Sequence, residues 1–146
     1  MNASEKTWGK RASAVLSEAG FRSGGGRRQV LDVLATQDCA VTALEIDQQL
    51  PQVGRATVYR ALEQLESLGL IQRVDLGGDA AGYERVDPSG HHHHHIVCEH
   101  CGRVVPFEDE GLEQAIVALA KRPDFNVSSH EVTLKGECAN CEDEAD

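Results

Sequence analysis

The sequence predicts an α/β protein built from two small parts, and three observations carry that reading. Helical apolar stripes fill the first half and run into a strand, a glycine turn and a returning strand. The second half reads as strands around a Cys-x-x-Cys turn, then a helix and a last strand ahead of another Cys-x-x-Cys. Between them, Asp87-Pro88-Ser89-Gly90 has the composition of a hinge. At 146 residues the chain has the size of one ordinary domain or two small ones, which excludes a single large catalytic barrel. The expected division is 1–86, a hinge at 87–90, and 91–146.

Each element has a local cause. Between Ser4 and Ala19, Trp8, Ala12, Val15 and Leu16 recur at helical spacing, and Gly20 suits the position after a helix end. Ser23 and Gly24-Gly25-Gly26 make a turn, after which Val30, Leu31 and Leu34 form the buried stripe of a second helix. Thr42-Ala43-Leu44-Glu45 has the form of a capping box and opens a third helix that ends before Pro51. From Arg55 onward, Val58, Ala61, Leu62, Leu65 and Leu68 make one apolar stripe closed by Gly69. Strand-like segments follow at residues 70–74 and 82–86, around Gly77-Gly78. Three or four helices and a two-stranded hairpin outline a winged helix.

Beyond the hinge, strands are expected at 96–98 and 103–105. Leu112, Ala115, Ile116, Leu119 and Ala120 mark an amphipathic helix, and Val132 and Leu134 alternate in a final strand. A part this small hides little apolar surface by itself, so metal and a partner subunit are expected to complete it.

Composition narrows the function. With 40% hydrophobic residues but only three Phe, two Tyr and one Trp, the core should be mainly aliphatic. No apolar run is long enough to span a bilayer and no secretion signal is evident, so a cytoplasmic protein without membrane contact is expected. The net charge of −10 opposes non-specific binding to nucleic acid. Through Val86, however, ten Lys/Arg face eleven Asp/Glu, net −1, while from Asp87 onward four face thirteen, net −9. The first part therefore remains open to a polyanionic partner.

Cys98, Cys101, Cys138 and Cys141 form two Cys-x-x-Cys pairs, each placed after a strand, with ligand spacing that suits a structural zinc tetrahedron. A redox dithiol would need only one pair, usually at a helix N-terminus. Cys39, at the end of a helix, reads first as a small buried apolar residue, or as a ligand or redox-sensitive thiol if it lies exposed near the His cluster. The run His91–His95 is internal and leads straight into Ile96-Val97-Cys98, unlike an affinity tag. Strand alternation puts His93 and His95 on one face and His92 and His94 on the other, so two separate metal sites could be served. The plainer alternative is a His-rich loop of unspecific metal affinity. His100 reads as an exposed spectator. The fourth helix carries Arg55, Thr57, Tyr59 and Arg60 in its first two turns, where a recognition helix meets base edges and phosphates. The plainer reading there is a solvated basic face. Arg22, Arg27 and Arg28 are further candidates for phosphate or minor-groove contact.

Taken in order, Ala56-Thr57-Val58-Tyr59-Arg60 with Leu65 and Gly69, the His run with Cys98-x-x-Cys101-Gly102, and His130 ahead of Cys138-x-x-Cys141 resemble the ferric uptake regulator family of bacterial metal-dependent repressors. The resemblance covers about Ala19 to Cys141. It implies a winged helix-turn-helix DNA-binding domain and a small α/β dimerisation domain, working as a homodimer on a near-palindromic double-stranded operator, and no enzyme activity. It implies structural Zn2+ on Cys98, Cys101, Cys138 and Cys141, a hinge sensor site at Glu84, His93 and His95, and a dimerisation-domain site at His92, His94, Glu113 and His130. For His130, shared parity with Val132 and Leu134 also points it inward.

Two departures bear on the regulatory metal. Where many iron-type members have a His before the third helix, this chain has Asp38-Cys39-Ala40-Val41-Thr42, so Cys39 or Asp87 is left to complete the hinge site. Where the peroxide-sensing branch has an acidic residue after the first Cys pair, this chain has Pro106. The reading leans to zinc-responsive control of metal-uptake or homeostasis genes, with Fe2+ second and manganese, nickel or peroxide as further variants. Two alternatives lie in other classes. One is a zinc-binding interaction or storage protein that does not touch DNA. The other is a zinc hydrolase, opposed by four thiolates that close the strongest site and by the lack of a nucleophile motif.

Overall fold

Helix α1 (Ala3–Glu18) turns Trp8, Ala12 and Leu16 inward, the spacing that its sequence pattern predicts. Its indole Nε1 donates to the Leu70 carbonyl at 3.2 Å, which ties the helix to a segment far along the chain. The computed structural model describes residues 3–22, 24–77, 81–88 and 92–144 and divides into two units, Met1–Gly90 and His91–Asp146. Parts of three expected features lie outside the described residues: Ser23, Gly78 of the hairpin turn, and Ser89, Gly90 and His91 at the hinge. No described helix is long and apolar enough to cross a membrane.

In the first unit, α2 (Gly25–Thr36) buries Val30, Leu31, Leu34 and Ala35. A short strand β1 (Val41–Thr42) precedes α3 (Ala43–Gln49), whose capping box is complete: Glu45 N–H donates to Thr42 Oγ1 at 3.1 Å, and Thr42 N–H to Glu45 Oε2 at 2.8 Å. Helix α4 (Arg55–Ser67) buries Val58, Ala61, Leu62 and Leu65, and Gly69 turns the chain out of it at φ 71°, a backbone conformation that suits glycine. Strands β2 (Ile71–Asp75) and β3 (Ala81–Arg85) pair antiparallel with Arg73 opposite Tyr83, and β1 lies on the other side of β3. The sequence reading missed β1, because two residues are too short for periodicity and the capping box dominates there. The result is a winged helix-turn-helix with one continuous core from Trp8 to Tyr83.

In the second unit, β4 (His94–Cys98) is the middle strand. It pairs antiparallel with β5 (Val104–Phe107) and parallel with β8 (Thr133–Gly136). A parallel pair needs a long crossover. Here β5, α5 (Glu110–Ala120) and the small β6 (Lys121–Arg122) and β7 (Phe125–Asn126) hairpin supply it. Asp109 caps α5 by accepting from Leu112 N–H at 2.8 Å. The chain closes in α6 (Ala139–Glu144). The β6–β7 hairpin and α6 were not foreseen; both are too short to show a period.

Burial differs sharply between the units. No residue of α5 is buried despite its apolar stripe, and Leu119 is 72% and Phe125 69% exposed. Leu134 is likewise exposed, against the inward parity expected of the last strand.

The start of α2 sits tightly on the start of α4. A Cβ at Gly26 would lie 2.7 Å from Thr57 Cγ2 and 3.0 Å from Val53 Cγ1, whereas one at Gly9 would meet nothing within 4 Å. Gly26→Ala should therefore lower stability by about 1–3 kcal/mol in denaturant unfolding, as overpacking does. Gly9→Ala, inside α1, should be neutral or stabilising. Equal unfolding midpoints for the two variants would contradict the close α2–α4 contact.

Candidate metal centres and nucleic-acid face

The four paired cysteines converge. Cys98 ends β4, Cys101 follows in the turn, and Cys138 and Cys141 stand at the start of α6, delivered by the parallel strand β8. Cys98 Sγ lies 3.8 Å from Cys141 Sγ, Cys101 Sγ lies 3.8 Å from Cys138 Sγ, and all four are within 4.8 Å of one another. A zinc tetrahedron with Zn–S near 2.3 Å has edges of about 3.8 Å, so the donor set fits the metal in kind and spacing. The same separations far exceed a disulfide bond, and the thiols are free.

Two backbone N–H groups aim at one sulfur. Those of Cys101 (3.5 Å) and Cys138 (3.4 Å) donate to Cys98 Sγ and bring its pKa from 9.0 to about 6, so a thiolate stands ready at neutral pH. Burial pushes the Cys141 thiol the other way.

A second cluster lies where β4 begins. His92 and His94 share one side, with ring centroids 5.1 Å apart, and His93 and His95 stack at 4.9 Å, so the neighbouring rings pair as strand alternation predicts. Glu113 on α5 reaches toward the first pair. Its carboxylate takes hydrogen bonds from His94 and from His130 Nε2 (2.7 Å), with His92 Nε2 at 3.4 Å, and His92 and His130 Nε2 are 3.1 Å apart. His94 Nδ1 accepts the Val132 backbone N–H at 3.2 Å, which leaves the ring proton on Nε2 for Glu113. The bond from His94, with His130, holds the Glu113 carboxyl below the usual carboxylate range. Three imidazoles and one carboxylate within 4.8 Å form a donor set able to take a divalent cation.

The residues expected at the hinge lie on both units. In the first, Glu84 is buried on β3, accepts from Gln72 Nε2 at 2.7 Å, and has a carboxylate oxygen within 4.8 Å of Cys39 Sγ. Cys39 is half-buried and stands beyond the end of α2 beside this carboxylate, outside the apolar core that the simpler reading assigned it. Asp87 is exposed after β3. In the second unit, His95 is buried on β4 with His93 half-buried beside it. Gln72 as a partner of Glu84 was not foreseen; cross-strand pairing, which puts the two residues opposite each other, is the signal that identifies it.

On the first unit, α4 presents Arg55, Tyr59 and Arg60 outward, and Arg22 is exposed between α1 and α2. Tyr59 is 47% exposed. Thr57 is only half exposed, its methyl faces Gly26, and its hydroxyl lies 3.5 Å from Arg60 Nη2. A contact from this side chain to a base edge competes with this packing. Arg27 is committed to the fold: Nε donates to Gln64 Oε1 at 2.7 Å and the guanidinium lies 4.7 Å over the Phe21 ring. Arg28 pairs with Asp32 along α2. Arg55 donates from Nε and Nη2 to Asp47 Oδ2, a partner that sequence spacing did not suggest.

Comparison with known proteins agrees with this architecture. The pattern of the "Ferric uptake regulator family" matches residues 18–135. The chain is similar to the "Ferric uptake regulation protein" of Legionella pneumophila, 36% identical over 135 residues, covering 89% of this chain and 98% of that protein. Among solved structures it is similar to the Vibrio cholerae ferric uptake regulator (Fur), at 31% identity and a TM-score of 0.76, covering 86% of this chain and 98% of that one. It is also similar to a zinc uptake regulator complexed with zinc and DNA, at 26% identity and a TM-score of 0.62, covering 99% of each chain. With its winged helix, its α/β dimerisation domain and its donor clusters, the chain belongs to the ferric uptake regulator family and is a metal-responsive DNA-binding transcription regulator, not an enzyme.

Proposed function

We propose that this regulator is a zinc-responsive repressor of metal-uptake or homeostasis genes. It acts in the cytoplasm as a homodimer on a near-palindromic operator, with structural Zn2+ on Cys98, Cys101, Cys138 and Cys141. The observation that carries the choice of metal is Cys39, whose thiol stands beside the buried Glu84 carboxylate. A sensor set of one sulfur, one carboxylate and the imidazoles of His93 and His95 suits four-coordinate zinc better than an iron site filled by water and oxygen. Fe2+ is the second reading, supported by the likeness to a protein named for ferric uptake regulation.

In this reading, Glu84 contributes from the wing and His93 and His95 from the second unit. Metal uptake then shifts the population of dimers toward the form whose two α4 helices meet successive major grooves, ~34–36 Å apart. Arg22, Arg55, Thr57, Tyr59 and Arg60 supply the DNA contacts. The His92, His94, Glu113 and His130 set holds a further cation, and the exposed apolar face of α5, Phe125 and Leu134 is covered by the second subunit.

Duplex binding should tighten ~5–150-fold when free Zn2+ rises, the range of ordinary allosteric coupling, and respond less to Fe2+ or Mn2+. Equilibrium titration at buffered metal activities measures this. Glu84→Gln or His93→Ala should abolish the response with an unchanged circular dichroism spectrum, and Cys39→Ser should move the preference from zinc toward iron. A full zinc response in Cys39→Ser would remove the thiol from the sensor. Separately, Cys98→Ser should lose one zinc per chain by metal analysis, together with the folded second unit and the dimer. A dimeric, protease-resistant Cys98→Ser protein would show that the thiolate site is not structural.

A further inference from the structure

Arg55 is the first residue of α4, where a long side chain ordinarily sweeps freely, yet it is anchored. Nε and Nη2 both donate to Asp47 Oδ2 at 3.2 Å. The two partners differ in exposure: the Asp47 side chain is only 18% exposed on α3, while that of Arg55 is 67% exposed. With the Arg55 end largely in solvent, the pair adds only modestly to stability. An acidic group beside a recognition helix also repels phosphates. A different benefit has to account for it.

We propose that Asp47 is a positioning residue for base recognition, holding the Arg55 guanidinium so that its outer edge reads a guanine in the major groove. This rests on the reading of α4 as the helix that enters the groove. The guanidinium carries five N–H groups in a fixed plane. Asp47 takes the edge formed by Nε and Nη2, which leaves both Nη1 hydrogens and the second Nη2 hydrogen directed away from it. That remaining edge is the fork that matches guanine O6 and N7. Holding the plane in advance removes rotamer freedom that would otherwise be lost on binding. Among the described residues, the other arginines near α4 differ: Arg27 is spent on Gln64, Phe21 and the Arg22 carbonyl, and Arg60 reaches the Thr57 hydroxyl and no acidic partner.

The carboxylate thus lowers overall attraction to DNA while sharpening the choice of base. Loss of a merely structural pair would weaken binding to every sequence alike. The test uses zinc-loaded full-length protein and a pool of randomised duplexes, from which the wild-type preference is first selected. Affinities are then measured for the selected duplex and for variants with each guanine replaced.

Asp47→Asn should reduce discrimination at one guanine per half-site by ~5–150-fold, the range of a good bidentate contact, while binding to random-sequence duplex stays equal or tightens. Arg55→Ala should lose the same position. The proposal is overturned if Asp47→Asn keeps full discrimination where Arg55→Ala loses it. It is overturned as well if Arg55→Ala changes no base preference. In that second case Tyr59→Ala and Arg60→Ala decide the underlying reading, since α4 remains the DNA-binding helix if they abolish duplex binding.

Discussion

The second unit cannot build an apolar core from its own residues, and that constraint shapes the rest of the molecule. Its buried centre is made of His94, His95, Val97, Cys98 and Cys141, mostly groups that prefer a cation or a hydrogen-bond partner to a hydrocarbon neighbour. Thiolates held this close repel one another unless a cation lies among them, and the imidazoles offer further nitrogen donors. Where such a site orders the chain, metal affinity and folding free energy are the same quantity. Several of its large apolar residues, Val117, Leu119, Phe125 and Leu134, are exposed on α5, β7 and β8. In the proposed homodimer, the second subunit covers these residues, so that dimerisation adds to the unit's stability as well as assembling the regulator.

The first unit solves the opposite problem. Its core is aliphatic and continuous, anchored by Trp8 and closed by Tyr83, so its surface is free to carry recognition. That division explains how a chain of net charge −10 can bind DNA. The part that carries α4 is nearly neutral, and the acidity gathers where cations are held. Even the arginines are divided by task. Arg27 holds the α1–α2 turn against α4, while Arg55 and Arg60 remain accessible on the outer face.

Most of the fold was legible because its signals are local. The capping box at Thr42, the stripe from Val58 to Leu65 and the alternation of the His run act within a few residues, and all three recur in the structure. The four cysteines were legible because zinc demands a spacing that chance seldom supplies. Failures came where partners are distant or absent from the chain. Asp47 meets Arg55 only through tertiary folding, and no pattern in one sequence announces that pair, whereas Gln72 and Glu84 follow once the hairpin register is fixed. Leu134 misled because the parity of a strand tells which face is apolar, and here that face is exposed in the single chain.

Charge gives the last step. Four thiolates around one Zn2+ leave a local charge of −2, so a filled structural site deepens the acidity of the second unit instead of cancelling it. At the other end of β4, the Glu113 carboxyl is held below the usual carboxylate range by His94 and His130 and adds a further negative charge to the unit. Under the proposed zinc assignment, a second cation arriving at the imidazole sets meets a favourable potential to which the thiolate site contributes. In the proposed reading an order follows: the thiolate site fills as the unit folds, and the sensing sites, with at most one sulfur and few carboxylates each, bind more weakly and answer to changes in free metal. In that reading the sulfur chemistry that orders the unit is also a condition for its sensitivity.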